Sequence, residues 1–124
     1  MQPVLDAGQA QLIDGIHAID DALRIEPAPG HTPGHMLLQL DDPRGGAVFC
    51  GDVIHHPLQV CAPHWNTQFC QSPEQARATR WRVLGGCAEH GHWLFPTHFG
   101  APHVAAIEEA RGGGLVPRFV QPTD

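Results

Sequence analysis

The chain has 124 residues, enough for one domain with a real core and too few for several. Thirteen acidic residues against seven arginines and no lysine give a formal charge of −6, and no basic stripe is present, which argues against nucleic acid or an anionic membrane as partner. No apolar run approaches the roughly 18 residues of a membrane span, and no basic segment followed by an apolar one suggests a secretion signal, so a cytoplasmic location is expected.

In chain order, Gln9 to Ile13 reads as a short strand, turned by Asp14-Gly15 into a second over Ile16 to Ile19. Leu23 to Glu26 is a third, and it leads into Ala28-Pro29-Gly30-His31-Thr32-Pro33-Gly34-His35. Two Pro-Gly pairs, each followed by histidine, can be neither helix nor continuous strand, because proline loses its amide donor and glycine tolerates positive φ. A loop this stiff presents an imidazole at a fixed place. Met36 to Leu40 and Ala47 to Cys50 are apolar enough for buried strands, separated by a turn over 41–46, and the second ends in Gly51-Asp52.

Residues 53 to 71 lack a clear period and carry two prolines, so they read as an ordered loop anchored by Leu58, Val60, Trp65 and Phe69. Ser72-Pro73-Glu74-Gln75 then announces a helix, with Ser72 as N-cap, Pro73 at the first position and Gln75 completing a capping box. Residues 76, 83, 84 and 87 follow the helical period, Arg77 and Arg82 face solvent, Gly85-Gly86 weakens the last turns, and Gly91 ends the helix. Trp93 to Phe95 is a short buried strand that delivers Pro96-Thr97-His98. The tail, Val104 to Val120, reads as two strands about Gly112-Gly113-Gly114. Four cysteines form no C-x-x-C pair and are expected as reduced thiols, with Cys50 and Cys87 packing as small apolar residues.

Ten histidines are the anomaly, since histidine is the commonest metal ligand and the natural acid–base residue near neutrality. His35, Asp52 and His98 share one context: each stands at the end of a loop or strand, where layered proteins collect their sites. Two imidazoles and a carboxylate suit zinc or a similar divalent ion. Each signal has a plain reading as well, because a Pro-Gly-His turn is ordinary loop chemistry and Gly-Asp after a strand is often only a turn.

The blocks "APGHTPGH", "FCGDVIHHP" and "LFPTHFGAP", in that order, resemble the later motifs of the metallo-β-lactamase superfamily of hydrolases. The likeness runs from about Gln9 to the end. It is nearest to the branch with methyl-parathion-hydrolase-like and acyl-homoserine-lactonase-like enzymes, through "GDVIHHPLQ", Trp65-Asn66 and "PEQARATR". The resemblance implies an α/β (α+β layered) fold, with residues 1–124 forming a single partial domain, the C-terminal half of an αββα sandwich. It implies His35 as the third histidine of a first metal site, Asp52 as the catalytic carboxylate bridging two metals, and His98 as a ligand of the second. His31, His55 and His56 are expected to shape the pocket or orient ligands by hydrogen bonding.

The cofactor implied is a divalent metal, zinc first and two ions in the complete enzyme, with manganese or iron also suited. A bridging hydroxide on those ions attacks a lactone, ester or related small-molecule substrate. The family's "HxHxDH" motif is absent. His90-Gly91-His92 has part of its spacing, but Trp93-Leu94-Phe95 follow and it lies after the Pro-Gly loop, so it reads as a decoy. The isolated chain is therefore expected to hold metal weakly and to hydrolyse little, as a truncated hydrolase with an incomplete site. Half a sandwich also leaves an apolar face, with Phe49, Leu38 and Trp93 on it, open to self-association. The alternatives are a non-catalytic binding or assembly module retaining half of the fold, and a small β-rich protein with an unrelated single-metal site on His31, His35 and His98.

Overall fold

The computed structural model describes residues 1–120. Its frame is one seven-stranded sheet in strictly sequential order, β1 (His17–Ala18), β2 (Leu23–Pro27), β3 (Met36–Leu40), β4 (Ala47–Gly51), β5 (Trp93–Pro96), β6 (Ala105–Glu109) and β7 (Leu115–Phe119). Neighbours pair antiparallel except β4 and β5, which are parallel. A parallel pair needs a long crossover, and here that crossover includes α2 (Leu58–Cys61) and α3 (Pro73–His90). No helix among the described residues is long and apolar enough to cross a membrane.

The core lies on one face of the sheet. Leu37, Val48, Cys50, Leu94, Ala105 and Ile107 alternate with outward residues along their strands and pack with Val83, Leu84 and Cys87 of α3. Burial pushes the Cys50 thiol far above its usual range and that of Cys87 up to about 12, so both behave as small apolar residues, as expected. The other face is open. Ile25, Leu38, Phe49 and Phe95 stand in register as one apolar row across β2 to β5, and the Phe49 and Phe95 rings stack at 4.7 Å. They line a shallow depression of about 610 Å³ with Ile19. Trp93 lies on this face too, beneath the Arg118 guanidinium.

Several elements differ from the sequence reading. Gln9 to Ile13 forms no strand, because a strand there would have only solvent to pair with, and Leu12 is exposed. A short helix, α1 (Gln2–Asp6), precedes it. Ser72 caps α3 through its carbonyl, which accepts the Ala76 amide, and makes no side-chain cap bond. Gly85-Gly86 does not break α3, which continues to Gly91 in the left-handed conformation.

The loop expected over 53–71 contains the single turn of α2, and its anchoring is the larger surprise. Of the four apolar anchors only Val60 is buried; Leu58, Trp65 and Phe69 are exposed. Polar groups hold the segment instead. Arg80 of α3, fully buried, donates from Nε to the Val53 carbonyl at 3.0 Å and from one terminal nitrogen to the Pro63 and Trp65 carbonyls, each at 2.7 Å. Gln59 accepts the backbone amides of His55 and His56 and donates to the Trp65 carbonyl.

Candidate metal centre

The Pro-Gly loop is pinned to the start of α3. The Gly30 carbonyl accepts the Ser72 amide, the His31 carbonyl accepts the Gln71 amide, and Thr79 Oγ1 donates to the Pro29 carbonyl at 2.6 Å. Gly30 adopts φ +134°, and a Cβ there would sit 2.3 Å from the Ala76 backbone. Only glycine meets both demands. Gly30→Ala is therefore expected to lower stability by about 3 kcal/mol through backbone strain and the clash with the helix. A urea unfolding midpoint that does not move would contradict this.

Asp52 leaves β4 just after Gly51, whose φ of +53° turns the chain, and His98 stands two residues beyond β5. Because β4 and β5 are parallel neighbours, both arrive at the same end of the sheet. His31 Nε2 lies 3.5 Å from Asp52 Oδ2, and His98 Nε2 lies 2.9 Å from Asp52 Oδ1. His55 sits between the two imidazoles, 4.9 Å from the His31 ring and 5.1 Å from the His98 ring, nearly parallel to the latter. With Thr67 and Phe69 these four residues line an open cavity of about 540 Å³.

Of the two Pro-Gly histidines, the one expected to orient others faces the cavity, and the one expected to bind metal does not. His35 lies beneath the cluster, where its Nε2 accepts the Asp52 backbone amide at 3.0 Å. That hydrogen bond occupies the lone pair a metal would need, and the ring's Nδ1 is buried without a partner. A Cβ at Gly51 would come within 2.9 Å of the same Nε2, so the ring is packed against this turn. Burial pushes the His35 pKa below its usual value; the Asp52 carboxylate opposes that shift and His31 adds to it. Burial likewise lowers the pKa of His55, with His31 next in weight. Both effects favour the uncharged imidazole, the form that ligates metals.

His56 points elsewhere. It is exposed, its Nδ1 accepts the Leu58 amide, and it borders a separate depression with Pro57, His98 and Phe119. His90 and His92 flank Gly91 at the other end of β5 from His98, with His92 3.7 Å from Asp41, so the His-Gly-His segment is remote from the cluster.

The donor set fits a cation. Among the described residues, one group offers three ligand atoms all within 4.8 Å of one another: His31, Asp52 and His55. The buried Nδ1 atoms of His31 and His55 lack hydrogen-bond partners, a cost that folded proteins seldom leave uncompensated. Spacing alone had not marked His55 for this place. The available signal was its position three residues beyond Asp52, on a loop that returns to the same sheet end.

No family model matches the sequence, and neither does any curated protein. Solved structures do match. The hydrolase AbOPH of the β-lactamase superfamily superposes with a TM-score of 0.83 at 22% identity, covering 99% of this chain and 42% of its own. AidC, a dizinc quorum-quenching lactonase solved with its N-hexanoyl-homoserine product, gives 0.83 at 20% identity over the same shares. A probable metal-dependent hydrolase from Staphylococcus aureus gives 0.75 at 15% identity, over 95% of this chain and 42% of that one. The chain thus has the fold of metallo-β-lactamase superfamily hydrolases, over about two-fifths of their length.

Proposed function

We propose that this chain is the metal-binding C-terminal part of a metal-dependent hydrolase of the metallo-β-lactamase superfamily, with a lactone or ester as substrate. The observation that carries this reading is the division of Asp52, whose Oδ2 faces His31 and whose Oδ1 faces His98. A carboxylate so divided suits a bridge between two cations. Two imidazoles beside it suit zinc first, and manganese or iron as well. In this reading His31 takes the place first expected of His35, Asp52 is the catalytic bridge, and His98 serves the second ion.

Bound divalent ions supply an acidified water and a polarised electrophile. The chain's own residues do the positioning. His35 fixes the Asp52 backbone from below. Thr67 and Phe69 wall a cavity open enough for a small molecule, with Phe69 offering apolar contact to an acyl group. The lactone preference leans on AidC and on an N-acyl homoserine lactone hydrolase solved with N-hexanoyl-homoserine at its metal centre, which matches with a TM-score of 0.60.

Two complete coordination shells need more ligands than this cluster offers, and the reading assigns them to a segment that covers the open sheet face. The apolar row Ile25, Leu38, Phe49 and Phe95 is also what favours the second reading, a non-catalytic module that binds a partner or a second copy through that face. The two separate in one assay. The chain, loaded in turn with zinc, manganese and iron, is offered a lactone, a phosphotriester, a thioester and a β-lactam. Slow hydrolysis that a chelator removes and metal restores is expected. Hydrolysis indifferent to the chelator overturns the proposal, and none with any metal favours the binding module.

A further inference from the structure

We propose that His55 is itself a metal ligand, so that His31, Asp52 and His55 form a site for one divalent transition-metal ion that this chain holds without another segment. The inference rests on reading the cavity as a metal centre, and it changes what the chain can do alone. Five histidines, residues 31, 35, 55, 56 and 98, lie near the loop ends at this side of the sheet, and geometry sorts them. His35 is occupied by the Asp52 amide, and His56 is turned away beside Leu58. His98 addresses the oxygen of Asp52 opposite to the one His31 faces, and it is the more exposed, at 48% of its side chain against 19% for His31. His55 remains. It completes the group whose three donor atoms lie within 4.8 Å, and it carries a buried nitrogen with no partner.

Two imidazoles and one carboxylate with an open position is a recurrent set for zinc and other first-row divalent ions. Such a site needs ligands held in place before the ion arrives, because ordering a loose loop subtracts from affinity. Each of the three is held. The His31 backbone is fastened to the start of α3 through Gln71, and Asp52 is fastened to His35. The His55 amide bonds to Gln59 Oε1 at 2.7 Å, while Gln59 Nε2 and Arg80 converge on the Trp65 carbonyl. The loop that carries His55 is thus built around a fully buried guanidinium, although its tip faces solvent. A solvated loop histidine would not need that support.

The test is metal binding by the chain as it exists, read by calorimetry with zinc and by the visible absorption of cobalt(II). One equivalent per chain is expected, with His55→Ala weakening it roughly 100-fold, at or above the upper end of what an outer partner costs. His56→Ala is expected to leave affinity and spectrum unchanged. His55→Cys is the decisive variant, since a thiolate on cobalt(II) adds a near-ultraviolet charge-transfer band that the parent lacks. If that band is absent and His55→Ala binds zinc as the parent does, His55 is not a ligand, although the metal-centre reading survives. If the parent binds no metal, that reading itself fails. Circular dichroism of the apo variants separates either result from misfolding, and an apo His55→Cys that folds but shows no band counts against the proposal.

Discussion

Asp52→Ala is expected to abolish zinc-dependent stabilisation of this protein. The parent, at a free zinc concentration 100 times its dissociation constant, gains about 2.7 kcal/mol of folding stability by mass action alone. The variant gains none at the same concentration, because both faces of the cluster lose their only anionic donor. Asp52 Oδ2 is the oxygen nearest His31 and Oδ1 the one nearest His98, so one substitution empties both directions. The apo protein is expected to change little. Asp52 is partly exposed, and the group that fixes the local backbone is its amide, on the His35 ring, which alanine retains. Asp52→Asn keeps the shape and one oxygen but no charge, so it is expected to bind more weakly than the parent and better than alanine. Zinc titrations followed by thermal melting check all three. A melting temperature of Asp52→Ala that rises with zinc as the parent's does would remove the carboxylate from the site.

The second large effect belongs to Arg80. This side chain is fully buried, and no carboxylate pairs with it among the described residues. Three carbonyls and the Asn66 side-chain oxygen surround its guanidinium. Burial lowers its pKa, but an arginine stays charged at neutral pH all the same. Its energy comes from charge-assisted hydrogen bonds in a site from which water is excluded. Arg80→Met keeps the aliphatic stem and strands those acceptors. The expected cost is about 3–5 kcal/mol, the range seen when a buried charged network loses one partner. Urea denaturation gives the number, and a loss under about 1 kcal/mol would show that the carbonyls find other donors. Arg80→Lys restores charge without the planar fork, so it recovers only part. In either variant metal affinity is expected to fall as well, since the His55 loop loses the support it shares with Gln59.

Both predictions fall on residues that the chain's linear pattern treats very differently. Asp52 is conspicuous: a carboxylate after a short apolar strand, in a block that resembles a known family. Arg80 is not. It stands three residues after Arg77 and two before Arg82, and nothing in that spacing separates a buried guanidinium from two that reach toward solvent. The expected anchors of the 53–71 segment failed for the same reason. Leu58, Trp65 and Phe69 are apolar, yet the segment has no apolar period, and a loop without period can be held equally well from its backbone carbonyls. Deciding between the two requires knowing what lies beneath it. In this fold that is the middle of α3.

The local elements with strong punctuation were legible in the sequence. Pro and Gly bound β2, β3 and β4, the Ser-Pro start and glycine stop delimit α3, and three consecutive glycines turn β6 into β7. These follow from steric limits on φ and from missing donors, which act within a few residues. The order of Pro-Gly loop, Gly-Asp and Pro-Thr-His also sufficed to indicate the fold and the sheet end at which chemistry collects. Only the tertiary structure decided which imidazole stands there. His31 and His35 have the same Pro-Gly-His context, so local forces cannot tell them apart. The Asp52 amide captures one ring, and the close approach of Gly30 to α3 turns the other into the cavity. The same packing brings His55, from a loop the sequence left undefined, between His31 and His98. Hydrogen bonds and close contacts between residues far apart in the chain made that choice, and they exist only once the sheet and α3 have come together.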